Sequence, residues 1–356
     1  MTHPLRILVI NPGSTSTKVA VYEDETPLLS KTLIHTPEEL RRCRRIAEQY
    51  DLRRTAVLAC LSEAGLGPED LDAVVGRGGM LRSVPSGTYL VNERMLTDAW
   101  DMVEREHAAN LGAPLAREIA PAGIPAYIVD PISVDEFEPL ARIAGLPDFE
   151  RRSLSHALNL KASARQAAGL LGKDYAAINL VVAHMGGGIS VSAHDHGRMV
   201  DVNQALDGTG PFSPERAGGL PVGDVMRLAY SGKYTYEEMF ALISRRGGLL
   251  AHLGTNDARV VEQRIANGDA HAELVYRAMA YQIAKEIGLM ATVLKGDVQA
   301  TVLTGGLAFS EVLVPWIRER VEWIAPVLVL PGHEEMLAMA RGALRVLRDG
   351  APVSEY

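Results

Sequence analysis

Residues 8–21 read LVINPGSTSTKVAV: an apolar run, then Asn11, a turn with Gly13 and four hydroxyls, then Lys18 and a second apolar run. Apolar runs of this length bounded by turn residues read as buried strands, here Leu5 to Ile10 and Val19 to Tyr22. Residues 181–192, VVAHMGGGISVS, follow the same plan, with a polar residue closing the first strand and glycines making the turn. Asn11 and His184 lie 173 residues apart, and so do Gly13 and Gly186. A strand–turn–strand unit repeated at that distance predicts two related domains across a cleft, each offering a backbone-rich turn to one ligand.

Further strand signals fall at Leu71–Val75, Ala126–Val129, Ile178–His184, Ile189–Ala193 and Thr301–Thr304, with helical stretches between them. Strands alternating with helices predict an α/β architecture. From Thr36, TPEEL supplies a cap, a first-turn proline and Glu39 three residues after the cap, so a helix is expected with Leu40, Cys43, Ala47 and Tyr50 on its inner stripe. Its arginines, at 41, 42, 44, 45, 53 and 54, read as a solvated face rather than a nucleic-acid surface. His271 to Leu294 reads as a long, largely apolar helix ended by Lys295-Gly296.

The chain has 356 residues, enough for two cores. Its 36 basic and 44 acidic residues leave a net charge of −8, which disfavours nucleic acid or an anionic membrane as partner. Cys43 and Cys60 make neither a metal-type spacing nor a disulfide framework, in keeping with a reducing compartment. No secretory signal or bilayer-spanning run is evident, so a cytoplasmic location is expected.

In the first turn, Gly13 lets backbone approach an anion, and Ser14 and Ser16 with their neighbours can hydrogen-bond phosphate oxygens. Lys18 adds a point charge, and Asn11 could hold a magnesium-bound water. The spacing is not that of a Walker loop, and a plain polar hairpin is the competing reading. Gly186, Gly187 and Gly188 between apolar strands point to close backbone contact with a ligand. Gly305-Gly306, between a strand and a helix-like run, occupies a usual nucleotide position in α/β folds. His194-Asp195-His196 reads as a hairpin tip rather than a metal site. Asp207-Gly-Thr-Gly210 reads as a turn that could contact phosphate, and His333 and His252 as loop residues.

These motifs resemble the acetate kinase and butyrate kinase family of the sugar kinase, Hsp70 and actin superfamily, the butyrate kinases most closely. The first turn is similar to the family's N-x-G-S-[ST]-[ST]-x-K signature and the second to its H-[LM]-G-x-G signature. Supporting blocks run the length of the chain: VVGRGG (Val74 to Gly79), SGTYLVNE (Ser86 to Glu93), DPISVDE (Asp130 to Glu136), SHALNLKA (Ser155 to Ala162), PFSPERAGGLP (Pro211 to Pro221), TNDAR (Thr255 to Arg259) and PGHEEMLAMA (Pro331 to Ala340). Gly187 stands where acetate kinases carry Asn, and SHALN replaces a different string, which moves the resemblance toward butyrate kinases.

The resemblance implies two duplicated actin-like ATPase (ribonuclease H-like) domains. The first would cover residues 1–151, with 335–356 returning to it, and the second, nucleotide-binding domain residues 152–334. It implies Arg77 as the ligand of the acid's carboxylate, Asp130 as the catalytic aspartate, and His156 and Arg216 as the pair that stabilises the transferring phosphoryl group. Asn11, Gly13, Ser14, Ser16 and Lys18, with His184 and Gly186 to Gly188, would bind phosphate. Asp257, Arg259, Gly305 and Gly306 would line the adenosine pocket, and Glu335, or its neighbour Glu334, would serve the magnesium side with Asn11. ATP or ADP, Mg2+, a short-chain carboxylic acid and a homo-oligomeric assembly follow from the same resemblance. Because such an acid is ionised at neutral pH, no general base is required, and Asp130 is expected to orient Arg77 or a magnesium water. Acetate, propionate and branched acids are rival substrates, and an Hsp70-like ATP-dependent switch is the rival of another class.

Overall fold

A computed structural model describes residues 3–102, 106–206, 208–332 and 334–356. Asp207 and His333 lie outside the described residues. Among the described residues there are twelve strands: β1 (Arg6–Pro12), β2 (Ser16–Glu23), β3 (Thr26–Ile34), β4 (Ala73–Arg77), β5 (Thr88–Leu90), β6 (Ala126–Val129), β7 (Leu180–Met185), β8 (Ile189–Asp195), β9 (Arg198–Val202), β10 (Ala300–Gly305), β11 (Val327–Pro331) and β12 (Val353–Ser354). Contacts divide the chain into two compact units, one running to Val134 and regaining the chain at Glu334–Tyr356, the other from Asp135 onward. Residues 135–151, expected with the first unit, group with the second. Arg142 binds Asp135 at 2.8 and 2.9 Å, and Arg151 binds Asp201 of β9 at 2.8 Å.

The first unit holds a seven-stranded sheet in the order β12-β5-β6-β4-β1-β2-β3, and the second a five-stranded sheet in the order β11-β10-β7-β8-β9. The repeat predicted from residues 8–21 and 181–192 is therefore architectural. Each sheet starts with an antiparallel meander, β1-β2-β3 or β7-β8-β9, and adds parallel strands beside the first, β4 and β6 or β10 and β11. Asn11 and His184 are the penultimate residues of their strands, β1 and β7. Ile7 to Ile10 and Leu180 to Ala183 are fully buried, as strands covered on both faces require. The helix Glu335–Leu347 packs on β1, β4 and β6, and the helix Ala270–Val293 on β7 and β8.

The long helix matches its expected span to within one residue at each end, and Lys295 and Gly296 follow it with positive φ of 57° and 79°. The Thr36 segment differs. Thr36 and Glu39 do form a capping box, but the helix they start, Pro37–Arg41, lasts barely a turn. The Arg44 amide instead donates to Glu48 Oε2 at 2.7 Å, and a new helix begins at Tyr50. Leu40, Cys43, Ala47 and Tyr50 form no buried stripe. His196 and Gly197 make the expected hairpin tip, both with positive φ. Among the described residues, no helix is long and apolar enough to cross a membrane.

β4 must lie against the start of the helix Gly112–Ile119. A Cβ on Gly76 would sit 2.1 Å from the Gly112 carbonyl oxygen, and one on Gly112 would sit 2.1 Å from the Arg77 carbonyl oxygen. Both clashes are with backbone, which cannot rotate away. Gly76→Ala is expected to lower the unfolding free energy by about 2 kcal/mol in urea melts. Parental stability would contradict this close approach.

Candidate active site

Three adjacent parallel strands of the first unit, β1, β4 and β6, deliver functional side chains at their carboxyl ends: Asn11, Arg77 and Asp130. In open α/β sheets that is where ligands gather. Glu335, in the first turn of the last helix, joins two of them. Its Oε2 accepts from Asn11 Nδ2 at 2.8 Å and its Oε1 from Arg77 Nε at 3.1 Å. Glu334, the adjacent candidate, lies 3.6 Å from Arg341 instead.

Arg77 is buried, and its Nη1 donates long bonds to the carbonyls of Gly78 and Asp130, at 3.3 and 3.4 Å. Among the described residues its Nη2 meets no acceptor. The Asp130 carboxylate, expected to orient Arg77, is held by other donors: Ser86 Oγ at 2.6 Å and the Gly87 amide at 2.9 Å. Asp130 is fully buried and takes a left-handed φ of 39°, a conformation sparsely populated outside glycine. Arg77 meets it only at the backbone carbonyl, so Glu335 is the carboxylate that orients Arg77.

The first turn is closed by the Gly13 amide donating to the Ser16 carbonyl at 2.8 Å, and Asn11 pairs with Lys18 across the hairpin. Ser14 and Lys18 are exposed, and Ser16 is half-buried. Beneath the turn lies Arg53, read from sequence as one of a solvated row. The other arginines of that row are exposed or half-buried, but Arg53 is 0% exposed. It donates to the carbonyls of Gly13 and Ser16 at 2.7 and 2.9 Å and to Thr17 Oγ1 at 2.9 Å. Burial brings its pKa down to about 10, so it stays charged at neutral pH. Thr17 Oγ1 also lies 2.9 Å from His35 Nε2. Burial, and secondarily the Arg53 charge, holds the His35 ring below the ordinary histidine range, so the neutral ring accepts the Thr17 proton.

In the second unit the His156 ring bonds to Ser190 Oγ through Nδ1 at 2.9 Å and packs on His184 with centroids 4.6 Å apart. Both histidines thus sit at the turn between β7 and β8. Arg216 is brought there by Ser213, whose hydroxyl donates to the Gly187 carbonyl at 2.6 Å and accepts from the Arg216 amide at 3.1 Å. The Arg216 guanidinium also donates to the Ala205 carbonyl at 2.5 Å. A Cβ on Gly188 would lie 2.3 Å from Arg216 Nη1, so the bare glycine is what admits the guanidinium. Gly305 closes on the same turn: its φ is 89°, and a Cβ there would sit 2.3 Å from the Met185 carbonyl oxygen. At Gly306 a Cβ would meet open space. Asp257 caps the helix Ala258–Ala266 and pairs with the exposed Arg259 at 2.7 Å, which holds its carboxyl below the usual range. Their neighbour Asn256 reaches Glu215, beside Arg216, at 2.6 Å.

His194 is buried between Tyr175 and Ser192, and burial keeps it neutral. No cluster of three or more His, Cys, Asp or Glu among the described residues could hold a metal. Magnesium needs no such cage, since it keeps much of its water and takes one or two carboxylates plus substrate phosphate. Glu335 and Asn11, beside a hydroxyl-rich turn, are donors of that kind. Sequence reasoning missed Arg53, Gln49, Ser86, Ser190 and Ser213, most of which act on partners more than twenty-five residues away; the resemblance blocks contained Ser86 and Ser213 without giving either a role.

Residues 151–321 match the model of the Acetokinase family. Solved structures share the fold along almost the whole chain. An acetate kinase from Porphyromonas gingivalis has a TM-score of 0.77 at 20% identity, over 97% of this chain and 100% of that one. A propionate kinase from Francisella tularensis subsp. tularensis gives 0.74 at 18%, over 95% and 98%. An acetate kinase from Entamoeba histolytica gives 0.75 at 16%, also over 95% and 98%. The chain thus shares the two-domain α/β fold of these acetate and propionate kinases.

The neutral His35 carries a pH signature. Its unfolded counterpart binds a proton near pH 6.5, whereas the folded ring does so only at lower pH. Stability is therefore full above about pH 6.5 and falls as pH drops toward the depressed folded value. Urea melts at pH 7.5 and 5.5 should show a smaller loss for His35→Gln than for the parent. An identical loss would remove His35 from the account.

Proposed function

We propose that this chain is a carboxylate kinase of the acetokinase family, moving the terminal phosphoryl group of ATP onto a short-chain fatty acid, butyrate in the first instance. The observation that carries the reading is the pair of glycine-led strand turns, each with its own cations: Arg53 and Lys18 at one, Arg216 at the other. The family match over residues 151–321 and the shared fold support it, and Gly187 with the SHALN block favours butyrate over acetate.

The acid is already an anion, so its oxygen attacks without a general base. Arg77, oriented by Glu335, has Nη2 to offer its carboxylate, and a guanidinium suits that planar group better than an ammonium. Asp130, locked by Ser86 and Gly87, fixes the strand end on which Arg77 leans. In the second unit Arg216 and His156 would offset charge on the three oxygens of the transferring group, which is the main demand of a loose, in-line transfer. The amides and hydroxyls of residues 13–18 and 186–188 would hold the remaining phosphates. Magnesium, held with Glu335 and Asn11, would neutralise phosphate charge. Asp257, Arg259, Gly305 and Gly306 are proposed for the adenosine end. Water competes with the acid for the phosphoryl group, so transfer would need a site closed to solvent.

The test is hydroxamate formation with ATP, magnesium, hydroxylamine and single acids from acetate to hexanoate, with the branched isomers. Butyrate or isobutyrate should turn over fastest, and Arg216→Ala should lower kcat by about a hundredfold or more. Gly188→Ala should lower it comparably while leaving the melting temperature nearly unchanged, because its Cβ displaces only the mobile end of Arg216. Hydroxamate from no acid would refute the kinase reading, and a strong preference for acetate or propionate would refute the choice of butyrate.

A further inference from the structure

Arg53 has an anomaly that packing does not explain. It is a fully buried cation, and buried cations are ordinarily paired with carboxylates. Its partners are all neutral: two carbonyls, one hydroxyl and Gln49 Oε1, which accepts from Nε at 3.2 Å and from Nη2 at 2.8 Å. Among the described residues no carboxylate comes within ion-pair distance. Those bonds also decide where the turn points. Arg53 draws the Gly13 carbonyl inward, and across a trans peptide the next amide points the opposite way. The Ser14 N–H is thereby aimed to the exposed side of the turn, where Ser14 itself lies.

We propose that Arg53 is a positioning residue that both aims and charges the first turn, its uncompensated guanidinium making residues 13–16 an anion receptor whose counter-charge is the polyphosphate of a nucleotide. Gln49 serves this role by holding the guanidinium with a neutral acceptor. The inference rests on the reading of this turn as a phosphate turn. It differs from plain bracing because bracing requires only hydrogen bonds, whereas this role requires net positive charge.

Gln49→Glu separates the two. The new carboxylate keeps the acceptor for Arg53 and gives the buried cation a partner, so the fold should be as stable or more so, while the charge beneath the turn is cancelled. Calorimetric titration of the full chain with MgATP should then show affinity about tenfold weaker than the parent's. The KM for ATP should rise in step and the KM for the acid should stay unchanged. Arg53→Lys should bind MgATP about tenfold more tightly than the neutral Arg53→Met, and this pair decides the matter if Gln49→Glu does not fold. Equal MgATP affinity for Gln49→Glu and the parent, or for the Lys and Met variants, overturns the proposal and leaves Arg53 a brace. A parent chain that binds no MgATP overturns the phosphate turn and this inference together. Weakened binding without turnover of any acid leaves the inference standing and removes only the kinase reading.

Discussion

The Glu335 carboxylate is the contact on which the first unit's site depends. One oxygen takes Asn11, at the end of the first strand, and the other takes Arg77, at the end of the fourth. These partners stand 324 and 258 residues away in the chain, so the last helix must return to the sheet before either side chain is fixed. Gly342 serves the same docking, since a Cβ there would press into Val129 at 2.4 Å. The placement of Asn11 and Arg77 is thus a product of tertiary closure, with the helix start presenting a carboxylate where its dipole favours negative charge.

The same economy of parts governs both turns. In each unit a buried strand ends at a polar residue, reverses through glycine and returns antiparallel, while a cation is steered to the turn from elsewhere in the unit. Arg53 comes from beneath the first turn and Arg216 comes beside the second, through Ser213. Backbone amides give directional donors and the guanidiniums give charge, which together suit a polyphosphate better than either alone.

What the sequence revealed follows the range of the interaction involved. Strands such as Ala126–Val129 and the duplication linking Asn11 to His184 rest on local apolar patterning, and the sheets reproduce them. The Thr36 capping box was legible as a start signal, but such a signal carries no length, and Glu48 capturing the Arg44 amide ends the helix that Thr36 begins. Arg53 was misread because its neighbours in sequence are solvent-facing arginines, and only the turn's position shows that one of them points inward. Arg77, Asp130, His156 and Arg216 were visible by resemblance alone. Their physical partners, Ser86, Ser190 and Ser213, are ordinary serines until the strand ends bring them into contact.

The central claim is that the acid's own oxygen attacks the terminal phosphorus of ATP. Butyrate labelled with 18O in its carboxylate tests this directly, with ATP and magnesium and with hydroxylamine present to cleave the product at its acyl carbon. Phosphorus NMR of the released phosphate should show the isotope shift of one 18O atom, the oxygen that bridged carbon and phosphorus in the acyl phosphate. Phosphate without label, formed at the same rate with and without the acid, would mean that water is the acceptor and that the chain is an ATPase instead.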